Sequence, residues 1–354
     1  MTDIIRVLIV DDSAYVRKVI RQMLSRSPFI EVVGAARDGR EALELVEQLK
    51  PDVVTCDLIM PELDGAGFVR EQMDRRPLPI IIVSVASESG ELVLAALDAG
   101  AIDVVQKPTA LATDRLLEVG EELLAKVKAA AGSRMYRPTP VAASRPTPIA
   151  ASVAMGPGRG PSKPGEVAVV VIGISTGGPQ ALKILIPRLP ADLPVPVAIV
   201  LHMPVGYTEL YARKLNEESA LTVVEAGDGQ PVLPGTVYIA PAGRHLSFRR
   251  NGGGAVVTRL DVRPLDLPHR PSVDVLFQSA ADVYGSRVLG VVMTGMGSDG
   301  KEGSAWIKAK GGTILTESEH TCVVYGMPRS VVEAGLSDSE VQLEQMAEAV
   351  IERL

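Results

Sequence analysis

Short apolar runs alternate with longer amphipathic ones from the start of the chain: "IRVLIV", "AYVRKVIRQMLSR", "IEVVGAA", "REALELVEQLK", "DVVTCDL", "GAGFVREQMDR", "LPIIIVSV", "ELVLAALDAG", "DVVQKP" and "LLEVGEELLAKVKAA". The short, uniformly apolar runs read as strands buried on both faces, and the periodic stretches as the helices that cover them. This alternation predicts a doubly wound, five-stranded parallel α/β domain over residues 1–130. Over residues 131–165 the pattern stops. Pro138, Pro140, Pro146, Pro148, Pro157, Pro161 and Pro164 recur there among Ala, Ser, Thr and Arg, which predicts a linker, extended where proline is dense. Strand-like runs return at "VAVVVIGI", "VPVAIVLHM", "TVYIA", "AVVTRL", "RVLGVVMTG" and "GGTILTES". Residues 166–354 are therefore expected to form a second α/β domain with a mostly parallel sheet. Some antiparallel pairing is expected within "VLPGTVYIAPAGRHLSFRRNGGGAVVTRL".

Length and composition agree with two buried cores: 354 residues, 46% hydrophobic and 22% charged. No apolar run approaches the roughly 20 residues of a membrane span, and "MTDIIRVLIVDDS" lacks a basic leader region, so a cytoplasmic protein with no membrane insertion is expected. Cys56 and Cys322 lie far apart in apolar contexts and suit reduced core positions. The net charge of −7 divides into −9 over residues 1–125, +7 over 126–165 and −5 over 166–354. Neither domain offers a basic face for nucleic acid, and the basic linker reads as a solvated tether.

In the first domain, Asp11 and Asp12 follow "IRVLIV" and Asp57 follows "DVVTC". In a parallel sheet these strand ends open into one crevice, where ligands bind. Three mutually repelling carboxylates favour a hard cation such as Mg²⁺. Ser84 after "IIIV" and Lys107 after "DVVQ" add a hydroxyl and an ammonium suited to a phosphoryl oxygen. Each residue alone could equally be a helix cap or a surface charge. "LIVDDS", "DVVTCDLIMPELDG", "IIIVS" and "AGAIDVVQKP" together resemble a response-regulator receiver domain. The resemblance implies that Asp57 accepts a phosphoryl group from a histidine kinase, that Asp11, Asp12 and Asp57 bind Mg²⁺, and that Ser84 and Lys107 read the phosphoryl group. Many receivers carry an aromatic residue three positions before that lysine; here Val104 stands in its place.

In the second domain, Gly173-Ile174-Ser175-Thr176-Gly177 matches the G-x-S-x-G pattern that exposes a nucleophilic serine at a strand-to-helix corner. The alternative is a glycine turn whose serine caps the helix starting near Pro179. A nucleophilic serine needs a base, and the histidines are His202, His245, His269 and His320. His202 directly follows the strand "VPVAIVL", whereas the other three read as turn or surface residues. Asp299, in a glycine-rich loop after "RVLGVVM", is the candidate carboxylate to orient the imidazole. That loop also matches a dinucleotide fingerprint at Gly295, Gly297 and Gly300. It nearly matches a phosphate loop ending in Lys301, but Glu302 stands where a hydroxyl belongs and Asp299 where phosphate charge would gather.

"GISTGGPQAL", "LHMPVGYTELYARKLN", "GTVYIAPAGRHL", "HRPSVDVLFQSAA", "GVVMTGMGSDGKEG" and "ESEHTCVVYGMPRS" resemble the catalytic domain of the chemotaxis protein-glutamate methylesterases, and the order receiver, linker, catalytic domain is that family's layout. The resemblance implies a triad of Ser175, His202 and Asp299, with backbone N–H groups near Thr176 and Met296 as oxyanion donors. It further implies hydrolysis of glutamyl methyl esters on chemoreceptor cytoplasmic helices with release of methanol, and deamidation of receptor glutamines. A chemosensory histidine kinase is the implied phosphodonor; Mg²⁺ serves the receiver, and hydrolysis needs no cofactor. A monomer is expected. The rival is a regulator whose second domain only binds, which predicts a helix-turn-helix or a basic face that the sequence lacks.

Overall fold

The computed structural model describes residues 4–84, 90–107, 113–133 and 167–354. The first sheet is built from β1 (Ile5–Val10), β2 (Ile30–Ala36), β3 (Val53–Cys56), β4 (Ile80–Ser84) and β5 (Asp103–Gln106). Its order is β2-β1-β3-β4-β5, and every described pair is parallel, which is the doubly wound arrangement expected. The helices α1 (Ala14–Leu24), α2 (Gly39–Leu49), α3 (Gly65–Arg75), α4 (Gly90–Ala99) and α5 (Thr113–Ala131) connect and cover the strands. Local chemistry sets several helix starts. Ser13, Asp38 and Asp64 each accept a backbone N–H of the first turn of α1, α2 and α3.

The second sheet has seven parallel strands in the order β14-β13-β12-β6-β7-β9-β8. These are β6 (Val169–Ile174), β7 (Val197–Leu201), β8 (Thr222–Glu225), β9 (Thr236–Ile239), β12 (Val288–Val292), β13 (Thr313–Glu317) and β14 (Ser339–Val341). The expected antiparallel pairing is the separate two-stranded ribbon of β10 (His245–Arg250) and β11 (Val256–Asp261). Helices α6 (Gly178–Leu185), α7 (Thr208–Glu217), α8 (Val273–Tyr284), α9 (Lys301–Ala309), α10 (Met327–Glu333) and α11 (Met346–Ile351) complete the domain. The central strands β6, β7 and β12 are buried along their whole length, which explains their continuous Val/Ile/Leu runs. The edge strands β8 and β14 carry no such run, and periodicity alone did not reveal them. The chain winds outward from β6 through β7 toward β9 and β8, then returns to β12 on the other side of β6. That reversal is where ligand sites form in open α/β sheets.

Cys56 and Cys322 are free and buried. The proline-rich linker lies outside the described residues. Among the described residues no helix is long and apolar enough to cross a membrane.

Helices α8 and α9 touch almost backbone to backbone. A Cβ at Gly303 would lie 2.5 Å from Phe277 Cβ and 3.0 Å from Asp274 Cα. Gly303→Ala should therefore wedge the helices apart and lower unfolding stability by about 1–3 kcal/mol. Denaturant melts of parent and variant measure this, and coincident midpoints would contradict the packing described.

Candidate active site

Ile174 pairs with Leu201 and Gly173 with Val292, so β7 and β12 flank β6 in register at its carboxyl end. Ser175 and His202 are each the next residue after a paired strand end, and the His202 N–H donates to the Ile174 carbonyl at 3.1 Å. Both side chains line one small cavity. Ser175 does not cap α6: the cap residue is Gly177, and no side-chain capping hydrogen bond forms there. Asp299 comes from the loop after β12, and its Oδ2 lies 2.9 Å from His202 Nε2. His202 Nδ1 is buried without a hydrogen-bond partner among the described residues. An imidazole donating Nε2–H to Asp299 keeps its lone pair on Nδ1, the nitrogen left to take a proton.

Asp299 is the most densely bonded group of the site. Its Oδ1 accepts from Ser272 Oγ at 2.9 Å and the Asp274 N–H at 3.0 Å; its Oδ2 also accepts the Val273 N–H at 2.8 Å. It thus caps the N-terminus of α8, where a carboxylate is stabilised by open N–H groups and the helix dipole. Burial by itself would raise its pKa, but His202 and the Asp274 and Val273 N–H groups hold it well below the usual carboxylate range. Asp274 in turn accepts the N–H groups of Gly300 at 2.9 Å and Gly303 at 2.7 Å, capping α9. Burial, together with the neighbouring Asp299 charge, raises the Asp274 carboxyl to about 6. This carboxylate occupies the helix N-terminus where either phosphate-binding reading of the glycine loop would need its phosphate.

Two histidines expected at turns or the surface belong to the site instead. His269 is partly buried and stacks on His202 with ring centroids 4.3 Å apart. His245 is 1% exposed; its Nδ1 accepts the Ser272 N–H at 3.2 Å and its Nε2 donates to the Pro264 carbonyl at 3.1 Å. His269 and Ser272 come from a proline-bounded loop, and His245 and Asp274 stand at the starts of β10 and α8, beside turn and proline residues that masked them. His320 is exposed, as expected.

The glycine loop packs against the serine. A Cβ at Gly295 would sit 2.8 Å from Ser175 Cβ and 2.4 Å from Met327 Sδ, so only glycine permits this approach. Neither the Thr176 N–H nor the Met296 N–H donates to another described residue; Thr176 follows Ser175, and Met296 follows Gly295, which packs against Ser175.

In the first domain the five candidates also meet. Val10 pairs with Cys56, and the Asp57 N–H donates to the Val10 carbonyl, so Asp11 and Asp57 emerge side by side. Carboxylate oxygens of Asp11, Asp12 and Asp57 lie within 4.8 Å of one another, with Asp12 exposed and the other two buried. This all-oxygen, triply acidic set fits a hard divalent cation. Lys107 Nζ pairs with Asp11 at 2.7 Å and Asp57 at 2.8 Å. Burial raises the Asp11 pKa despite Lys107. For Lys107 itself, burial favours the neutral amine, but the hydrogen bonds it donates to Asp11 and Asp57, with their charge, outweigh this and raise its pKa. Ser84 is buried at the end of β4, and its carbonyl accepts the Lys107 N–H at 2.7 Å.

The two sites are joined by direct contacts. Leu97, Asp103 and Val104 of the first domain line the same cavity as Ser175, Pro179, His202, Met203 and Pro204. Thr176 Oγ1 donates to Asp103, the Gly177 N–H to the Ile102 carbonyl at 3.0 Å, and Gln180 Nε2 to the carbonyls of Ala101 and Leu97. Asp98 pairs with Lys183 at 2.7 Å and also with Lys214. Beyond Val104, His202, Pro179 and the Gly173–Gly177 corner, the sequence singles out none of these docking residues.

A receiver-type acidic crevice joined to an α/β domain with a Ser, His and Asp cluster is the layout of a response regulator with a hydrolase-type effector. Residues 170–350 match the family model of the CheB methylesterase, and residues 7–119 that of the response regulator receiver domain. The chain is 52% identical over 343 residues to protein-glutamate methylesterase/protein-glutamine glutaminase 5 of Myxococcus xanthus, covering 97% of this chain and 96% of that one. It is 45% identical over 353 residues to the protein of that name from Symbiobacterium thermophilum, covering 98% and 96%. The crystal structure of the Thermotoga maritima CheB methylesterase catalytic domain aligns with a TM-score of 0.52 at 43% identity, over 53% of this chain and all of that one. The chain belongs to the protein-glutamate methylesterase/protein-glutamine glutaminase family.

Burial, with the neighbouring His202, lowers the His269 pKa from 6.5 to about 4. The unfolded chain therefore binds a proton at this ring before the folded one does, and stability falls as pH drops from about 6.5 toward about 4. His269→Phe keeps a stacking ring that cannot titrate, so its stability should depend less steeply on pH across that window in urea unfolding. Equal slopes for parent and variant would contradict the placement of His269.

Proposed function

We propose that this chain is a phosphorylation-regulated hydrolase, acting in the cytoplasm, that cleaves glutamyl methyl esters on chemoreceptor cytoplasmic helices and deamidates receptor glutamines. A carboxylic ester and a primary amide differ in leaving group and share the same acyl transfer, so one site serves both reactions. The observation that carries the reading is the shared cavity of Ser175 and His202 with Asp299 fixed on His202 Nε2. The division into a receiver over residues 1–130, a linker over 131–165 and a catalytic domain over 166–354 belongs to the same proposal.

Ser175 Oγ attacks the ester carbonyl while His202 Nδ1 takes its proton. The tetrahedral oxyanion is held by the Thr176 and Met296 N–H groups, each such donor being worth about 3 kcal/mol. The protonated imidazole is stabilised by the Asp299 charge and returns the proton to the leaving methoxide or amine. Water activated by His202 then releases the glutamate and restores Ser175. Hydrolysis needs no cofactor in this scheme.

In the receiver, Asp57 accepts the phosphoryl group from a histidine kinase. Mg²⁺ held by Asp11, Asp12 and Asp57 would neutralise charge during the transfer. Ser84 and Lys107 then bind the phosphoryl oxygens. Before phosphorylation, α4 and β5 cover the catalytic cavity; recruiting Lys107 to a phosphoryl group on Asp57 strains β5 and loosens that cover.

Ser175→Ala, shown to be folded, should lose methanol release from methylated receptor by about 10⁴-fold or more; parent-level release would remove the serine from the mechanism. Asp98→Ala deletes partly exposed ion pairs worth about 0.2–1 kcal/mol each. It should therefore raise unphosphorylated activity by roughly two- to ten-fold and leave phosphorylated activity unchanged. An unaltered basal rate would show that these pairs do not hold the receiver in place.

A further inference from the structure

One ionisable group on the carboxyl edge of the second sheet is fully buried and has no part in the chemistry above. Glu317 ends β13 with no exposed surface. Its Oε2 accepts the Thr294 N–H at 2.9 Å, and its Oε1 has no hydrogen-bond partner among the described residues. No salt bridge reaches it among those residues. The titratable neighbour is Cys322, whose Sγ lies 3.7 Å from the Glu317 carbonyl oxygen. Burial first, and then Glu317, holds the Cys322 thiol protonated.

Thr294 is the hub that both oxyanion loops share. Its carbonyl accepts the Ser175 N–H at 3.0 Å, and its hydroxyl donates to the Thr176 carbonyl at 3.0 Å. The same hydroxyl accepts the Val324 N–H at 3.0 Å. The next residue, Gly295, donates to the Val324 carbonyl at 3.0 Å and leads directly into Met296. Glu317 fixes the N–H of this hub from the side away from Ser175.

Resting on the catalytic reading above, we propose that Glu317 is a positioning residue that works as a neutral carboxylic acid. It holds Thr294, and through it the Ser175–Thr176 and Gly295–Met296 segments, at the spacing the oxyanion requires. Its ionisation weakens the site by placing an unpaired negative charge behind the peptide that supports the forming oxyanion. A buried carboxylate with no cation is costly, whereas the neutral acid still accepts the Thr294 N–H. Burial raises this carboxyl to about 7, against the lowering effect of the Thr294 N–H and of the Thr321 and Cys322 side chains. The proton is present below that pH and lost above it, so kcat gains a falling alkaline limb.

The test uses the full-length chain, phosphorylated with a small-molecule phosphodonor, and follows methanol release from methylated receptor across pH. Reporting each variant as a ratio to the parent cancels the pH dependence of phosphorylation. Glu317→Gln keeps an acceptor for Thr294 and cannot ionise. Its kcat should be close to the parent's at acid pH and exceed it increasingly above about pH 7. Glu317→Ala leaves the Thr294 N–H unpaired and should lower kcat by about a hundred-fold with little change in KM. Infrared difference spectra of parent minus Glu317→Gln should show a carboxylic-acid C=O band that disappears as pH rises through about 7. A Glu317→Gln ratio that stays flat with pH, together with no such band, overturns this proposal alone. A Ser175→Ala chain that keeps its activity overturns the catalytic assignment and this proposal with it.

Discussion

The catalytic half of the structure is organised around one buried negative charge. The Asp299 carboxylate binds His202 Nε2, the Ser272 hydroxyl and two N–H groups at the start of α8. A charge this far from water is tolerable only with such a complete set of donors. The same donors fix which imidazole nitrogen carries the proton. His245 supports the arrangement from behind through Ser272, and His269 covers the face of His202. Asp274 extends it to α9, so the glycine loop that supplies Asp299 is anchored at both ends. Removing Asp299 would disturb a base, a helix terminus and a loop together.

In the proposed regulation, the short strand β5 is the link between the two sites. This strand begins at Asp103, which meets Thr176, and runs through Val104, which lines the catalytic cavity. It ends beside Lys107, which is paired with Asp11 and Asp57. Four residues of extended chain span roughly 13 Å. On the proposed reading, a change in what Lys107 binds would reach the serine site along one strand, with no intervening element to absorb it. Val104 stands where many receivers have an aromatic side chain, and here that position lines the catalytic cavity.

Much of this was legible in the residues. The Val/Ile runs of β6, β7 and β12 marked a parallel sheet because both faces are buried, and strand-end residues marked the sites because parallel strands open toward one edge. Ser175, His202, Asp299, Asp11, Asp57 and Lys107 stand out as candidates on that ground, and the structure brings them together in two clusters. The supporting residues were not. Ser272 and His269 lie in a proline-bounded loop with no period to read, His245 opens β10 straight after a turn, and a histidine in either place has no local sign of burial. Glu317 follows "TILT" as any strand-end carboxylate might, and its lack of a partner exists only in three dimensions. The docking contacts of Asp98, Asp103 and Gln180 depend on how two domains meet, which neither domain's pattern encodes. The edge strands β8 and β14 escaped because three or four residues half-exposed at a sheet margin carry too little apolar signal.

The central claim is that Ser175 is the nucleophile and that the unphosphorylated receiver covers it. A serine-reactive fluorophosphonate probe tests both parts at once when applied to the full-length chain with and without phosphodonor. The labelled residue is located by peptide mass spectrometry. A single adduct on Ser175 is expected, forming faster after phosphorylation and absent in Ser175→Ala. Labelling at another serine, or a Ser175 rate unchanged by phosphorylation, would contradict it.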